Sequence, residues 1–318
     1  MSRLQGLRAQ HLRARDARQS ASGGSVVAAD TARQTYRAVR LAIVGTVVAL
    51  LIAVAITRPR YDEPLPTLSH YFYTPAGAIF VGTLVAASVA MIALQGGGVQ
   101  QVLLDAAALL LPLVALVPAN ADSALLARLG QTACADADPC VPAPFDEYAT
   151  TGAAVWLVTV PVALAATAVL GVIARRRGEA ATGTLTPTLG ICGALWAAVG
   201  VWFGAFPASF LAHAHYIAAT AFFLLIALVA LWQAFLGPLR GARQLTAGDP
   251  PTRFQRAAPL AYAVVAASMS IVILVGAGIL IGAPSGGSGM FWVETSALIL
   301  FAVFWIVQTV QKWDLLDP

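Results

Sequence analysis

Charge is what this chain lacks most. Of its 318 residues only 11% are Asp, Glu, Lys or Arg, and 59% are hydrophobic; the mean hydropathy is +0.78. A soluble helix is apolar along one stripe. The apolar segments here are apolar all round and about 20 residues long, the thickness of the hydrocarbon layer. That excludes a soluble core of this size and leaves a polytopic membrane protein. The small basic excess, +4 with a pI near 9.2, does not point to nucleic acid. The basic residues flank apolar segments, and no aromatic residue is interleaved with them before Tyr36. The partners implied are the bilayer and its anionic lipids.

Other absences narrow the chemistry. The polar, Arg-rich first 36 residues lack the form of a cleavable signal peptide. There is no Gly-x-Ser-x-Gly elbow. Gly96-Gly97-Gly98 reads as a tight turn with no strand before it, so it is no phosphate loop. No internal repeat is visible.

What is present is a succession of apolar runs. Eight candidate spans fall near 38–57, 75–94, 102–117, 153–174, 189–206, 215–235, 260–281 and 291–310. Backbone groups in lipid must be satisfied within the segment, so runs this long are helices, and the fold class is an all-α transmembrane bundle. The domain reading is a basic, disordered tail over 1–36, a transmembrane domain over 37–312 and a short C-terminus over 313–318. The third run is the weakest, being short and carrying Asp105 and Pro112. Alternation places 16 of the 19 Lys and Arg on one side, with only Arg58, Arg60 and Arg128 on the other. By the positive-inside rule both termini are then cytoplasmic. Trp292 and Tyr216 fall at outer ends, Trp232 and Trp313 at inner ends, as interfacial anchors do.

The outer regions carry the reactive side chains. The first outer loop is stiffened by Pro59, Pro64 and Pro66. The second holds Cys134 and Cys140 with Asp136 and Asp138 between them, and a small disulfide staple is expected there. A metal site from the same residues is disfavoured, because thiolates and carboxylates prefer different ions. Cys192 reads as a buried small apolar residue. Three of the four histidines, His70, His213 and His215, map to outer helix ends. So do Ser69, Tyr71, Tyr73, Tyr216 and Glu294. Imidazoles, a carboxylate and phenols at one face suit a zinc site on His70, His213 and His215, an acid/base pair, or a polar headgroup pocket. Two residues apart on a helix point about 200° apart, so His213 and His215 share one ion only if His213 precedes the helix. Asp105 and Glu294 are the acids nearest the spans; each also reads as a carboxylate favoured by a helix N-terminus. Ser69 and His70 adjoin and do not face each other as nucleophile and base. No cofactor is expected beyond the open possibility of zinc.

Three blocks carry a resemblance. Pro66-Thr-Leu-Ser-His-Tyr-Phe-Tyr-Thr leads to Ile79-Phe-Val-Gly; His213-Ala-His-Tyr-Ile-Ala-Ala opens a helix containing Phe222-Phe223; Phe291-Trp-Val-Glu-Thr opens the last helix, which contains Trp305. Together they resemble an uncharacterised family of bacterial polytopic membrane proteins, and more loosely the DRAM-like superfamily. The resemblance implies a multi-pass protein of the bacterial plasma membrane and no particular activity. The leading expectation is a non-enzymatic membrane protein whose outer-face pocket, formed from Ser69, His70, Tyr73, His213, His215, Tyr216 and Glu294, takes a lipid headgroup or small ligand. The alternatives are a metal-dependent hydrolase similar to the ceramidases, with Glu294 or Asp62 beside the histidines, and a transporter.

Overall fold

The computed structural model describes residues 31–94, 98–135, 137–178, 183–236, 253–282 and 289–313. Nine helices lie in these residues. They are α1 (Thr31–Arg60), whose last turn is 3-10, α2 (Gly77–Ala93), α3 (Val99–Leu116), the short α4 (Ser123–Arg128), α5 (Phe145–Arg176), α6 (Leu185–Ala205), α7 (Pro207–Phe235), α8 (Arg253–Gly282) and α9 (Met290–Gln311). A buried 3-10 turn, Ser69–Tyr73, joins α1 to α2. The described residues contain no strand, only an isolated bridge between Ala121 and Cys140. Seven helices are long and apolar enough to cross a membrane. The eighth apolar helix, α2, has 17 residues, about 26 Å at the helical rise.

All eight apolar runs are helices, with ends that differ from the sequence expectation. α1 begins at Thr31, so residues 31–36 are its first turns and not tail; residues 1–30 lie outside the described residues, as do 314–318. Trp313, expected in the C-terminal segment, lies under Arg37, whose guanidinium stacks 4.3 Å from its ring and donates to its carbonyl. α7 begins at Pro207, two turns before His215, because α6 turns into it through the single residue Phe206 and proline suits a first helical position.

The third run, weakest in sequence, is the centre of the bundle. α3 packs against α2, α5, α6 and α7, while α7 packs on α8 and α8 on α9. Two thirds of its apolar window is buried, against 6% for α5. α1 closes the arrangement, its Val47 and Leu50 lying with Leu84, Leu111, Phe222 and Leu298 around one crevice. At one end of the bundle Gln233 donates to Gln100 (2.6 Å) and Tyr262 to Gln311 (2.7 Å). Asp105, in the second turn of α3, accepts from Gln101 (2.6 Å) and Thr188 (3.4 Å) near the same end.

Two of the prolines inside spanning helices, Pro112 and Pro161, show how helices are tied together. A proline has no N–H for the carbonyl four residues back. Pro112 therefore frees the Ala108 carbonyl, and Ser88 Oγ of α2 donates to it (2.7 Å). Pro161 frees the Leu157 carbonyl, and Trp196 Nε1 of α6 donates to it (2.9 Å). Within an apolar environment such a group left unpaired costs about 1–3 kcal/mol. Trp196→Phe is therefore expected to destabilise the protein by about that amount, and Pro161→Ala to rescue it by restoring the helical bond. Thermal unfolding of the two single variants and the double variant measures this; strictly additive effects would contradict it.

Candidate functional site

At the other end of the bundle α3 stops inside the protein. The chain that leaves it is extended and not helical, so its carbonyls need partners from elsewhere, and residues 117–120 are buried here. Side chains from two other elements supply the donors. His215 Nδ1 of α7 lies 2.8 Å from the Val117 carbonyl, Tyr73 donates to Ala119 (2.7 Å), and His70 Nε2 lies 3.0 Å from the Asn120 carbonyl. Tyr216 reaches the same Asn120 carbonyl at 3.5 Å, and Asn120 Nδ2 donates to Ala212 of α7 (3.3 Å).

The Ser69–Tyr73 turn is held in place by packing. Phe72 is ringed by Tyr73, Phe80, Phe145 and Tyr148. Gly77 has no side chain where one would run into the Phe72 carbonyl, so the turn lies directly on α2. The Phe291 N–H donates to the Pro66 carbonyl (2.9 Å), which joins the start of α9 to this segment.

A second set of bonds runs through Ser69. Its N–H donates to Glu294 Oε2 (2.8 Å), its Oγ lies 3.1 Å from Glu294 Oε1, and His215 Nε2 lies 2.9 Å from the same Oγ. Ser69 and His215 are buried; Glu294 is half-buried. Two cavities meet at Glu294. One is a crevice of about 50 Å³ under Ser69, lined by Leu84, Leu111, Val114 and Leu298. The other, about 120 Å³, lies between α7, α8 and α9 and is lined by Tyr216, Phe223, Gly276, Ala277, Val293 and Glu294. Its rim residues Thr220 and Ala277 are exposed.

Of the residues singled out in sequence, Ser69, His215 and Glu294 form one bonded chain, and His70, Tyr73 and Tyr216 bond to carbonyls of the buried segment after α3. Tyr216 is thus no interfacial anchor, whereas Trp292 is exposed. His213 does not join them. It sits inside α7, its Nδ1 3.0 Å from the Ser209 carbonyl, and is exposed. His70, His213 and His215 therefore do not converge on one ion, and among the described residues no three His, Cys, Asp or Glu side chains are placed to do so. Asp62 lines a separate open groove of about 550 Å³ with Arg58 and Trp292. Cys134 and Cys140 are bonded to each other. Asp138 accepts from Ser123 N and Oγ, at 3.0 and 2.8 Å, and Asp136 lies outside the described residues. The carbonyls of Val117, Ala119 and Asn120 had no mark in the sequence beyond the Pro118-Ala119-Asn120 break.

Burial holds the His70 imidazole below its ordinary range, so it is neutral at pH 7, and pushes the Tyr71 and Tyr73 phenols up. Neutral His70 carries its hydrogen on Nε2, since a carbonyl only accepts. The unfolded chain binds a proton at His70 near pH 6.5 and the folded chain does not, so folding stability falls as pH drops through about 6.5. His70→Gln is expected to show a shallower loss between pH 8 and pH 5 in detergent melting curves; an unchanged slope would contradict the assignment.

Fold and site together define a multi-pass α-helical membrane protein with a polar cluster at one end of the bundle. No family model, no curated protein and no solved structure matches the chain.

Proposed function

We propose that this is a multi-pass protein of the bacterial plasma membrane, with eight spans, both termini cytoplasmic and the Ser69–His215–Glu294 cluster on the outer side, and that it binds the polar head of a membrane amphiphile there. The basic residues flanking one end of the bundle support the orientation. The observation that carries the function is the 120 Å³ cavity. Among the described residues, Glu294 is the only acidic or basic side chain lining it, its walls are otherwise almost wholly apolar, and its rim opens between apolar helices. Enclosed sites for whole ligands run to about 300–1,000 Å³, so this one takes a head and the first carbons, with the remaining chain in lipid. An intramembrane carboxylate turned toward a cavity is a costly feature that folding alone does not require.

The Ser69–His215 pair favours a second reading, a serine nucleophile with its base. Here the imidazole is oriented by the Val117 carbonyl instead of a carboxylate. Against it, the Ser69 N–H, the natural oxyanion donor, is taken by Glu294. The metal-dependent hydrolase loses support with His213 turned away.

A photoactivatable alkyl probe delivered in vesicles is expected to label α7, α8 and α9 around the cavity. Ala277→Phe, which adds bulk at the rim and leaves the Glu294 carboxylate in the chain, is expected to cut that labelling about tenfold, roughly 1.4 kcal/mol of binding. Labelling unaffected by Ala277→Phe would overturn the reading.

A further inference from the structure

The Ser69 bonds fix a proton count. The Val117 carbonyl only accepts, so His215 Nδ1 carries a hydrogen. Ser69 Oγ has one hydrogen and lies within bonding distance of both His215 Nε2 and Glu294 Oε1. Making both bonds takes a second hydrogen. It sits either on Glu294, which donates to Oγ while Oγ donates to Nε2, or on Nε2, which donates to Oγ while Oγ donates to a Glu294 carboxylate. In both arrangements the Glu294–His215 pair holds one shared proton and has no net charge.

The groups around Glu294 select what can replace that proton. From α7 come His215 and Tyr216, the latter directed at the Asn120 carbonyl. From the Ser69–Tyr73 turn comes His70, behind His215. Among the described residues, α8 brings only apolar side chains to the cavity and no Lys or Arg lines either cavity. Arg58 and Asp62 lie in the separate groove. Of the unmatched buried atoms nearby, His70 Nδ1 and Asn120 Oδ1 are acceptors, and the Tyr71 hydroxyl can donate or accept. A phosphate or carboxylate head needs donors and a cation, and the described linings of the two cavities hold no cation. An ammonium, with three N–H donors and a positive charge, is their complement.

Resting on the amphiphile reading above, we propose that the head is a primary ammonium and that its binding to Glu294 releases the shared proton. The balance is simple. A neutral site plus R–NH₃⁺ gives R–NH₃⁺ beside a Glu294 carboxylate, neutral His215 accepting from Ser69 Oγ–H, and one proton delivered to water. Keeping the proton would leave an imidazolium and an ammonium together with a single carboxylate in a largely apolar site, an uncompensated buried charge.

The test is calorimetric titration of the protein in neutral-lipid nanodiscs with dodecylammonium, dodecanol and dodecyl phosphate, in two buffers of different ionisation enthalpy. The expected result is preference for dodecylammonium, release of about one proton per molecule bound, and affinity rising about tenfold per unit of pH while the site holds its proton. Glu294→Gln should abolish both the preference and the release. Ala277→Phe, with Glu294 intact, should weaken binding of all three probes. Dodecylammonium bound without proton release, or preference for dodecyl phosphate, would overturn this proposal and leave the amphiphile reading standing. No binding of any probe, or binding indifferent to Ala277→Phe, would overturn the amphiphile reading itself.

Discussion

The carbonyls of the buried, non-helical segment that follows α3 have to find donors inside the protein, because the helix has already ended at Leu116. Everything distinctive at this end of the bundle follows from that. The Ser69–Tyr73 turn dips inward and supplies His70 and Tyr73, and α7 supplies His215 and Tyr216. Fixing His215 by Nδ1 leaves its Nε2 for Ser69, and Ser69 in turn reaches Glu294 on α9. One backbone requirement thus ties the first connection, the central helix and the last helix together. The same requirement recurs at Pro112 and Pro161, where Ser88 and Trp196 take up the freed carbonyls. In an apolar surrounding, backbone satisfaction does the joining that surface charge does elsewhere.

This arrangement bears two readings at once. Each of His70, Tyr73 and Tyr216 has an adequate structural reason to be where it is. Glu294 is different. Ser69 alone could have bonded to His215, and a carboxylate near lipid is costly. Glu294 lines a cavity that Gly276 and Ala277 also border, and the proposed binding reading rests on that placement.

Much of the fold was legible in the sequence, since length and uniform apolarity locate helices well. All eight runs appeared as helices. What stayed hidden was which helix is central. Uniformly apolar helices have no stripe to show a buried face, so α3, short and interrupted by Pro112, read as the weakest. The site was legible by type and not by pairing. Ser69 was weighed against its neighbour His70, while its partner His215 lies 146 residues away. His213 misled because starting α7 at residue 215 left open a geometry that the helix from Pro207 forbids. The Cys134–Cys140 bond, a short-range feature, was readable at once.

His215 is oriented by the Val117 carbonyl just past α3 and, as proposed above, shares one proton with Glu294 through Ser69. Nitrogen-15 NMR of histidine-labelled protein, with His215 assigned by loss of its signal in His215→Gln, tests this most directly. The account predicts that Nδ1 carries a hydrogen in every protonation state observed, because its partner is a carbonyl. A neutral His215 protonated on Nε2, with Nδ1 bare, would contradict it.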